Sequence, residues 1–207
     1  MIVKKFLVFF LAKPFEKISI KKITKKHIIS FDVFNTLILR KTKKPSDVFM
    51  QINDGTVFGM KRISAEKKAR SCNVKEDVTL SDIYKFLPEY DENKEIKKEI
   101  ELCYANPKAM QLYNTLRKRG KEIIIVSDMY LPREVICIIL KNSGYDIDDV
   151  PIYVSSEYGK TKRTGNLYKV VLKDHQGQRI VHIGDNVISD YLIPKLLGIE
   201  AILCSSK

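Results

Sequence analysis

The amino-acid sequence predicts an α/β fold, in which a parallel β-sheet lies between two layers of helices. Short apolar runs rich in β-branched residues indicate buried strands, because they lack the alternation of a strand with one exposed face. Helical patterns separate the later runs, and this alternation is typical of a parallel sheet covered on both faces. An apolar content of 44% over 207 residues allows a packed core and excludes wholesale disorder.

Five strands and four helices account for this prediction. The predicted strands, in chain order, are His27–Phe31, Glu122–Val126, Pro151–Val154, Arg179–Ile183 and Glu200–Cys204. The helical patterns between them are Pro107–Arg119, Pro132–Asn142, Asn166–Lys173 and Asp190–Leu197. Glycines follow three of these helices, at positions 120, 144 and 198, where C-terminal caps are expected.

The stretch from Pro45 to Tyr104 interrupts this alternation and shows no convincing strand. We therefore predict a helical insert after the first strand, with helices at Ser46–Ile52, Ser64–Ala69, Leu80–Phe86 and Glu92–Cys103. The chain then divides into an N-terminal arm (1–26), a core domain (27–44 and 105–207) and the insert (45–104).

The net charge of +12 invites a nucleic-acid or membrane interpretation, but it is concentrated at the N-terminus. Residues 1–28 contain eight lysines and one acid, so they hold +7 of the total. The remaining residues carry an ordinary charge, and their aromatic residues lack the spacing of base-stacking sites. We therefore expect no nucleic-acid partner, and we expect the arm to dock on the domain or on a membrane surface through Phe6, Leu7, Phe9 and Phe10.

A transmembrane or secreted protein is not expected. The uncharged apolar run Phe6–Ala12 has seven residues, far fewer than the roughly 20 of a spanning helix. Lys13 and Pro14 stand where a signal peptide would need small residues for cleavage. The four cysteines form no CxxC pair, and with three histidines they show no zinc-site spacing. Reduced, buried thiols and a cytoplasmic location are the expectation.

Polar side chains follow the predicted strands at the edge of the sheet where ligands bind in parallel α/β folds. Strand by strand they are Asp32, Asn35 and Thr36; Ser127 and Asp128; Lys160 and Lys162; and Asp185, Asn186, Ser189 and Asp190. Clustered carboxylates need a cation, and oxygen ligands suit Mg²⁺. A lysine and a hydroxyl can hold phosphate oxygens, and a carboxylate can act as a nucleophile. The set predicts chemistry on a phosphoryl group.

Three ordered motifs resemble the haloacid dehalogenase-like (HAD) hydrolase superfamily over about residues 28–204. They are Ser30–Leu37 with its Asp-x-x-x-Thr pattern, the apolar strand and serine of Ile123–Tyr130, and the GDxxxxD pattern within His182–Asp190. The resemblance implies a three-layer Rossmann-like sheet and identifies the insert as a cap. Ser127–Pro132 and Lys162–Tyr168 are similar to a bacterial subgroup associated with surface-polysaccharide and glycosyltransferase systems.

The resemblance implies a catalytic role for three side chains. Asp32 would be the nucleophile that forms an aspartyl-phosphate, and Ser127 would hydrogen-bond the transferring phosphoryl group. Lys162 would neutralise charge on Asp32 and on the phosphate, with Lys160 as its rival for this role.

The resemblance also implies a cofactor and a substrate class. Mg²⁺ would be held by Asp32, the backbone carbonyl of Phe34, Asp185 and Asp190. Thr36, Ser127, Asp128 and Lys162 would bind a small phosphorylated substrate, which the subgroup relates to sugars.

Phe34 departs from the pattern of superfamily phosphatases, which place a second aspartate two residues after the nucleophile. A phenyl ring cannot transfer a proton, and general acid–base catalysis contributes about 10²- to 10⁴-fold in rate. Three hypotheses remain: a Mg²⁺-dependent phosphatase that is slow or restricted to good leaving groups, a metal-independent dehalogenase-like hydrolase, and a catalytically weak binding or regulatory module in polysaccharide biosynthesis.

The insert carries a basic segment that the sequence leaves open to two interpretations. It is either a solvated helix face or a contact for an anionic substrate. Its members are Lys61, Arg62, Lys67, Lys68 and Arg70.

Overall fold

The computed structural model of the chain describes residues 12–15, 18 and 27–205. Within these residues, the strands in chain order are β1 (Lys13–Pro14), β2 (His27–Phe31), β3 (Ile38–Arg40), β4 (Cys103–Ala105), β5 (Ile123–Ser127), β6 (Ile152–Val154), β7 (Arg179–Gly184) and β8 (Glu200–Ser205). Six of them form one parallel sheet in the order β1-β8-β7-β2-β5-β6. The predicted α/β class is confirmed, and β2 lies inside the sheet between β7 and β5.

The helices are α1 (Thr56–Cys72), α2 (Leu80–Tyr84), α3 (Glu92–Leu102), α4 (Pro107–Lys118), α5 (Arg133–Asn142), α6 (Ser155–Tyr158), α7 (Asn166–Asp174) and α8 (Ile193–Leu196). A 3₁₀ helix covers Pro45–Gln51, and a π-helical turn covers Val187–Leu192. No helix in the described part of the chain has the length and apolar composition needed to span a bilayer.

Alternate residues of the central strands point to opposite faces of the sheet, as the two-residue period of a strand requires. On one face, Ile29 and Phe31 of β2 belong to the same buried cluster as residues of α4 and α5. On the other face, Ile28 of β2 and Ile124 of β5 pack in a cluster with residues of α7. The sheet is therefore the middle layer of three.

A short antiparallel ribbon was not predicted. Strand β3 pairs with β4 across more than 60 residues of chain, in the register Ile38↔Ala105 to Arg40↔Cys103. The prediction of no strand between Pro45 and Tyr104 is therefore wrong at its C-terminal end, and the helix predicted to reach Cys103 ends at Leu102. Strands of three residues are too short to show a period, and only their distant pairing stabilises them.

Two predicted helices begin earlier than expected. The helix predicted at Asp190–Leu197 is preceded by the π-helical turn, because the side chain of Asn186 accepts from the backbone N–H of Ile188 at 3.0 Å. The helix predicted at Ser64–Ala69 extends over all of α1. Exposed Val57, Met60 and Ile63 beside a buried Arg62 hide the usual amphipathic pattern of α1.

One member of the basic segment, Arg62, forms a buried ion pair, whereas Lys61, Lys67, Lys68 and Arg70 are exposed. Arg62 of α1 is fully buried and makes a two-pronged contact with Glu95 of α3, with Nε–Oε2 and Nη2–Oε1 distances of 2.6 and 2.8 Å. Its guanidinium also lies over the rings of Phe49 and Tyr130, at 4.5 and 4.8 Å from their centroids. For Arg62 the interpretation of a solvated face is wrong, since this side chain joins the helices of the insert.

The cysteines differ from the expectation of buried thiols. All four are free, but Cys204 alone is buried, and Cys72 is exposed. Cys103 and Cys137 are half-buried. Burial raises the pKa of the Cys137 and Cys204 thiols above the ordinary value, so neither is an activated nucleophile.

The described part of the N-terminal arm contributes to the fold. Lys13 and Pro14 add a parallel edge strand to β8. Phe15 and Ile18 are 3% and 5% exposed and belong to the main buried cluster. The helix predicted around Phe6, Leu7, Phe9 and Phe10 lies outside the described residues.

Replacing Phe15 by alanine is expected to lower the free energy of unfolding by about 3 kcal/mol, because a buried phenyl ring is lost and a cavity remains. Chemical denaturation of the full chain measures this change, with Lys13→Ala as the matched exposed control. An unchanged denaturation midpoint in the phenylalanine variant would show that the arm is only an accessory segment.

Candidate active site

Side chains from three separate chain segments meet at the carboxyl end of the sheet. Asp32 follows β2, Asp185 and Asp190 follow β7, and Lys162 lies in the connection between α6 and α7. The ammonium group of Lys162 donates to Asp32 Oδ1 at 2.6 Å and to Asp190 Oδ1 at 2.7 Å. The parallel sheet thus brings together residues as much as 158 positions apart in the sequence.

The structure favours Lys162 over Lys160 as the lysine of the site. Lys162 is 2% exposed and lies between two carboxylates, whereas Lys160 is exposed. Burial alone would lower the pKa of Lys162, but the charges of Asp190 and Asp32 raise it well above its ordinary value. This lysine therefore stays protonated at the centre of the cluster.

Two features of the loop after β7 hold Asp190 in place. A Cβ atom at Gly184 would lie 2.6 Å from Cβ and Cγ of Asp190, so only glycine allows this close approach. The backbone N–H of Asn186 donates to Asp190 Oδ2 at 2.9 Å. Burial alone would raise the pKa of Asp190, but the positive charge of Lys162 lowers it well below its usual range. Asp190 is therefore an ionised acceptor.

A buried hydrogen-bond chain supports Asp190 from inside the sheet. His182 Nε2 lies 3.3 Å from Asp190 Oδ1, and His182 Nδ1 lies 2.7 Å from Ser30 Oγ. Burial lowers the pKa of His182, so the ring is neutral. An ionised carboxylate can only accept, so Nε2 carries the hydrogen and Nδ1 accepts from the Ser30 hydroxyl. The sequence prediction gave neither residue this role, although Ser30 and His182 are directly paired across β2 and β7.

The three carboxylates fit a divalent cation. One oxygen each from Asp32, Asp185 and Asp190 lies within 4.8 Å of the others. Burial and the charges of Asp32 and Asp190 raise the pKa of Asp185 to about 7, as expected where carboxylates crowd together. Clustered oxygen donors are the ligands that Mg²⁺ prefers. The participation of the Phe34 carbonyl stays a prediction.

The predicted phosphate-binding residues occupy different environments. Ser127 is 1% exposed, and its hydroxyl has no hydrogen-bond partner among the described residues, which leaves it available to a ligand. Asp128 accepts from the backbone N–H of Lys162 at 2.7 Å, and so it positions the lysine. Thr36 is fully buried, its hydroxyl likewise has no hydrogen-bond partner among the described residues, and its contact with a substrate stays a prediction.

The insert holds the segment that carries Lys162. The carboxylate of Glu76, in the loop after α1, accepts from the backbone N–H of Thr161 at 2.8 Å and from the Thr164 hydroxyl at 2.5 Å. It also accepts from the Asn166 side chain. Nearby, Asp77 accepts from the hydroxyl of Ser155. Sequence reasoning missed Glu76, because no local pattern connects it to residues 85–90 positions away.

Replacing Glu76 by alanine is expected to lower kcat for any substrate turned over at this site about tenfold, because small displacements of catalytic groups are costly. Glu76→Gln keeps an acceptor oxygen and should lose less. Steady-state kinetics with a thermal melt of each variant measures both effects. An alanine variant with unchanged kcat would show that Glu76 does not position Lys162.

A cavity of about 700 Å³ opens between this edge of the sheet and the insert. Its core wall includes Phe34, Asn35, Arg40, Asp128, Met129 and Tyr130. Its insert wall includes Phe49, Ile63, Glu66, Lys67 and Arg70. Phe34 therefore lies between the cluster around Asp32 and a space large enough for a small molecule.

Comparisons with solved structures identify the class of fold. The HAD-family enzyme bt-2542 of Bacteroides thetaiotaomicron, in complex with magnesium and inorganic phosphate, is similar at a TM-score of 0.61 and 15% identity, over 86% of this chain and 93% of that one. A HAD phosphatase of Thermococcus onnurineus is similar at 0.61 and 17%, over 84% and 83%. The L-2-haloacid dehalogenase RSc1362 is similar at 0.56 and 14%, over 85% and 85%. No family model and no curated protein matches the sequence.

The chain therefore has the HAD-like α/β Rossmann-type fold. At these identities the likeness shows the fold alone, and function must be argued from the site itself.

Proposed function

We propose that this protein is a HAD-like hydrolase that removes the phosphoryl group from a small phosphorylated molecule through an aspartyl-phosphate on Asp32. One observation carries the proposal. A buried lysine joins Asp32 to Asp190 within a cluster of three carboxylates, at the edge of the sheet where ligands of parallel α/β folds bind. The solved neighbours that carry magnesium and phosphate support this interpretation.

In the first step, an oxygen of Asp32 attacks phosphorus, and the bond from phosphorus to the leaving oxygen breaks. Lys162 offsets the charge of the attacking carboxylate and of the phosphoryl oxygens. The free hydroxyl of Ser127 donates to a phosphoryl oxygen. In the second step, water attacks phosphorus, the Asp32–phosphorus bond breaks, and the carboxylate is restored.

Mg²⁺ would be held by Asp32, Asp185, Asp190 and the backbone carbonyl of Phe34. When bound, it supplies positive charge that lowers the repulsion between the carboxylates and an anionic phosphoryl group. His182 keeps Asp190 oriented for this task through the hydrogen bond from Nε2.

The residue at position 34 cannot supply a proton to the leaving group of the substrate. Phe34 is apolar, and the adjacent Asn35 is an exposed amide in a left-handed conformation, with φ 60°. Neither can act as an acid or a base at neutral pH. The enzyme should therefore be slow with alkyl phosphates and faster with substrates whose leaving group is stable as an anion.

We further propose that residues 45–104 act as a cap over residues 27–44 and 105–207. Glu76 and the stacking of Arg62 over the Tyr130 ring support this proposal, because they attach the insert to the Lys162 segment and to the rest of the fold. A sugar-related substrate remains a proposal that follows from the sequence resemblance. Docking through the arm of residues 1–26 remains a proposal that follows from its lysines and apolar residues.

The proposal is tested by measuring phosphate release from a panel of acyl, aryl and alkyl phosphates, with Mg²⁺ and after its removal by chelation. We expect Mg²⁺-dependent release that Asp32→Asn abolishes. The matched control is Asp149→Asn, which changes an exposed acid in a surface ion pair with Arg117 and should retain activity. Release that is unaffected by Asp32→Asn would contradict the mechanism.

A dehalogenase-like hydrolase is the second candidate, and the absence of an acid at Phe34 favours it. Three carboxylates converging with a lysine argue against it, because the dehalogenase reaction at carbon needs no metal. Halide release from a 2-haloacid without Mg²⁺ would establish this alternative. A protein that bound these ligands and turned over none of them would instead be a binding module.

A further inference from the structure

The cavity beside Phe34 contains a guanidinium group with unused donors. Arg40, at the end of β3, lines the cavity, and its side chain is 8% exposed. Its Nε donates to Glu99 Oε2 at 2.9 Å. Neither Nη1 nor Nη2 donates a hydrogen bond to any residue that the structure describes. The two nitrogens are not fully buried, so they are open to the cavity that Arg40 lines and can donate to a ligand there.

We propose that the cavity binds the acyl group of an acyl phosphate, and that Arg40 holds its carboxylate as this leaving group departs. The inference rests on the proposed function, because it names the substrate class of the same site. Two terminal guanidinium nitrogens form a planar fork that matches the two oxygens of a carboxylate, and they match the single oxygen of an alkoxide or phenolate less well.

The position of Arg40 places this charge next to the residue that lacks a proton donor. Its Cζ lies 4.0 Å from the centroid of the Phe34 ring. Burial alone would lower the pKa of Arg40, but Glu99 raises it above the ordinary value, so the guanidinium stays charged. A fixed positive charge stabilises a leaving anion where a proton cannot be supplied.

The other walls of the cavity suit an apolar acyl group. Phe34, Phe49, Met129 and Tyr130 provide aromatic and thioether surface. The acidic residues of the lining are already engaged. Glu66 pairs with Arg62 and Arg70, and Asp128 accepts from the backbone of Lys162. A planar acyl group such as benzoyl fills more of this volume than an acetyl group does.

The reaction balances without an acid at position 34. Asp32 forms a bond to phosphorus, the bond from phosphorus to the acyl oxygen breaks, and its electron pair leaves with the carboxylate. Water then attacks phosphorus, and the bond to Asp32 breaks. Both protons of the water remain on the product, which is released as dihydrogen phosphate. After release, this product exchanges protons with the solvent.

The kinetic test compares benzoyl phosphate, p-nitrophenyl phosphate and hexyl phosphate on the full chain with Mg²⁺. The variant is Arg40→Gln/Glu99→Gln, which removes both charges of the buried pair and avoids leaving Glu99 unpaired. We expect about a 10²-fold loss of kcat/KM with benzoyl phosphate and only a few-fold loss with the two esters. Arg117→Gln, at an exposed ion pair, is the control and should change neither. Equal losses on all three substrates would overturn the inference.

The binding test uses benzoate, the product of this reaction, and does not depend on turnover. Calorimetry should show that benzoate binds the wild-type chain and binds the double variant at least tenfold more weakly. Benzoate that fails to bind, or that binds both proteins equally, would overturn the inference even if phosphate esters are hydrolysed. Arg40-dependent benzoate binding without any Asp32-dependent hydrolysis would support the cavity assignment and contradict the proposed function.

Discussion

Replacing Phe34 by aspartate is expected to raise turnover of an alkyl phosphate about 10²-fold, which is the lower end of the range for general acid–base catalysis. Position 34 lines the cavity and lies two residues after Asp32, so a carboxyl group there can reach the leaving oxygen. The gain falls at the lower end because Arg40, 4.0 Å from the present ring, favours the ionised form of the new acid. Steady-state release of phosphate from hexyl phosphate measures it.

Phe34→Asn is the matched control for this gain, because an amide of the same shape cannot transfer a proton. The triple variant Phe34→Asp/Arg40→Gln/Glu99→Gln should turn over the alkyl phosphate faster than Phe34→Asp alone, because the cation that keeps the new acid ionised is gone. Equal turnover by Phe34→Asp and Phe34→Asn would show that a missing acid does not limit the proposed reaction.

Replacing Lys162 by methionine is expected to have the largest structural effect at the site. The substitution leaves Asp32 and Asp190 facing each other without the buried ammonium group that now bonds both. Removing one partner of a buried ion pair costs about 3–5 kcal/mol, and removing a donor to a developing anion costs about 10²- to 10³-fold in kcat. Chemical denaturation and phosphate-release kinetics measure the two losses.

Lys160→Met provides the matched control, because Lys160 is exposed and lies two residues earlier in the same connection. It should change stability and turnover little. If the two methionine variants behaved alike, Lys162 would have no special part in the site, and the choice between the two lysines would be wrong.

The sheet and the residues at its carboxyl edge could be predicted because their signals are local. Each buried strand is a continuous apolar run, and the residue after each strand must lie at the same edge of a parallel sheet. This is why Asp32, Asp185, Asp190 and Lys162 could be placed together from the sequence, and the structure brings them within hydrogen-bond or ligand distance.

Contacts between distant segments could not be predicted in the same way. Arg40 reaches the cavity only because β3 pairs with β4, and neither strand is long enough to show a period. The sequence allows Arg62 to be interpreted as a solvated charge, because its partner Glu95 lies 33 residues away. Glu76 likewise acts on the Lys162 segment from the insert. Long-range partners of this kind decide burial and charge at the site, and no local pattern encodes them.

The covalent state of Asp32 during turnover shows whether this carboxylate is the nucleophile. The full chain is mixed with benzoyl phosphate and Mg²⁺, quenched in acid within one turnover, digested and analysed by mass spectrometry. We predict a peptide containing Asp32 that carries the mass of one phosphoryl group, is cleared as the reaction proceeds, and is missing in Asp32→Asn. Phosphate release with no phosphorylated Asp32 peptide at any quench time would show that Asp32 is not the nucleophile.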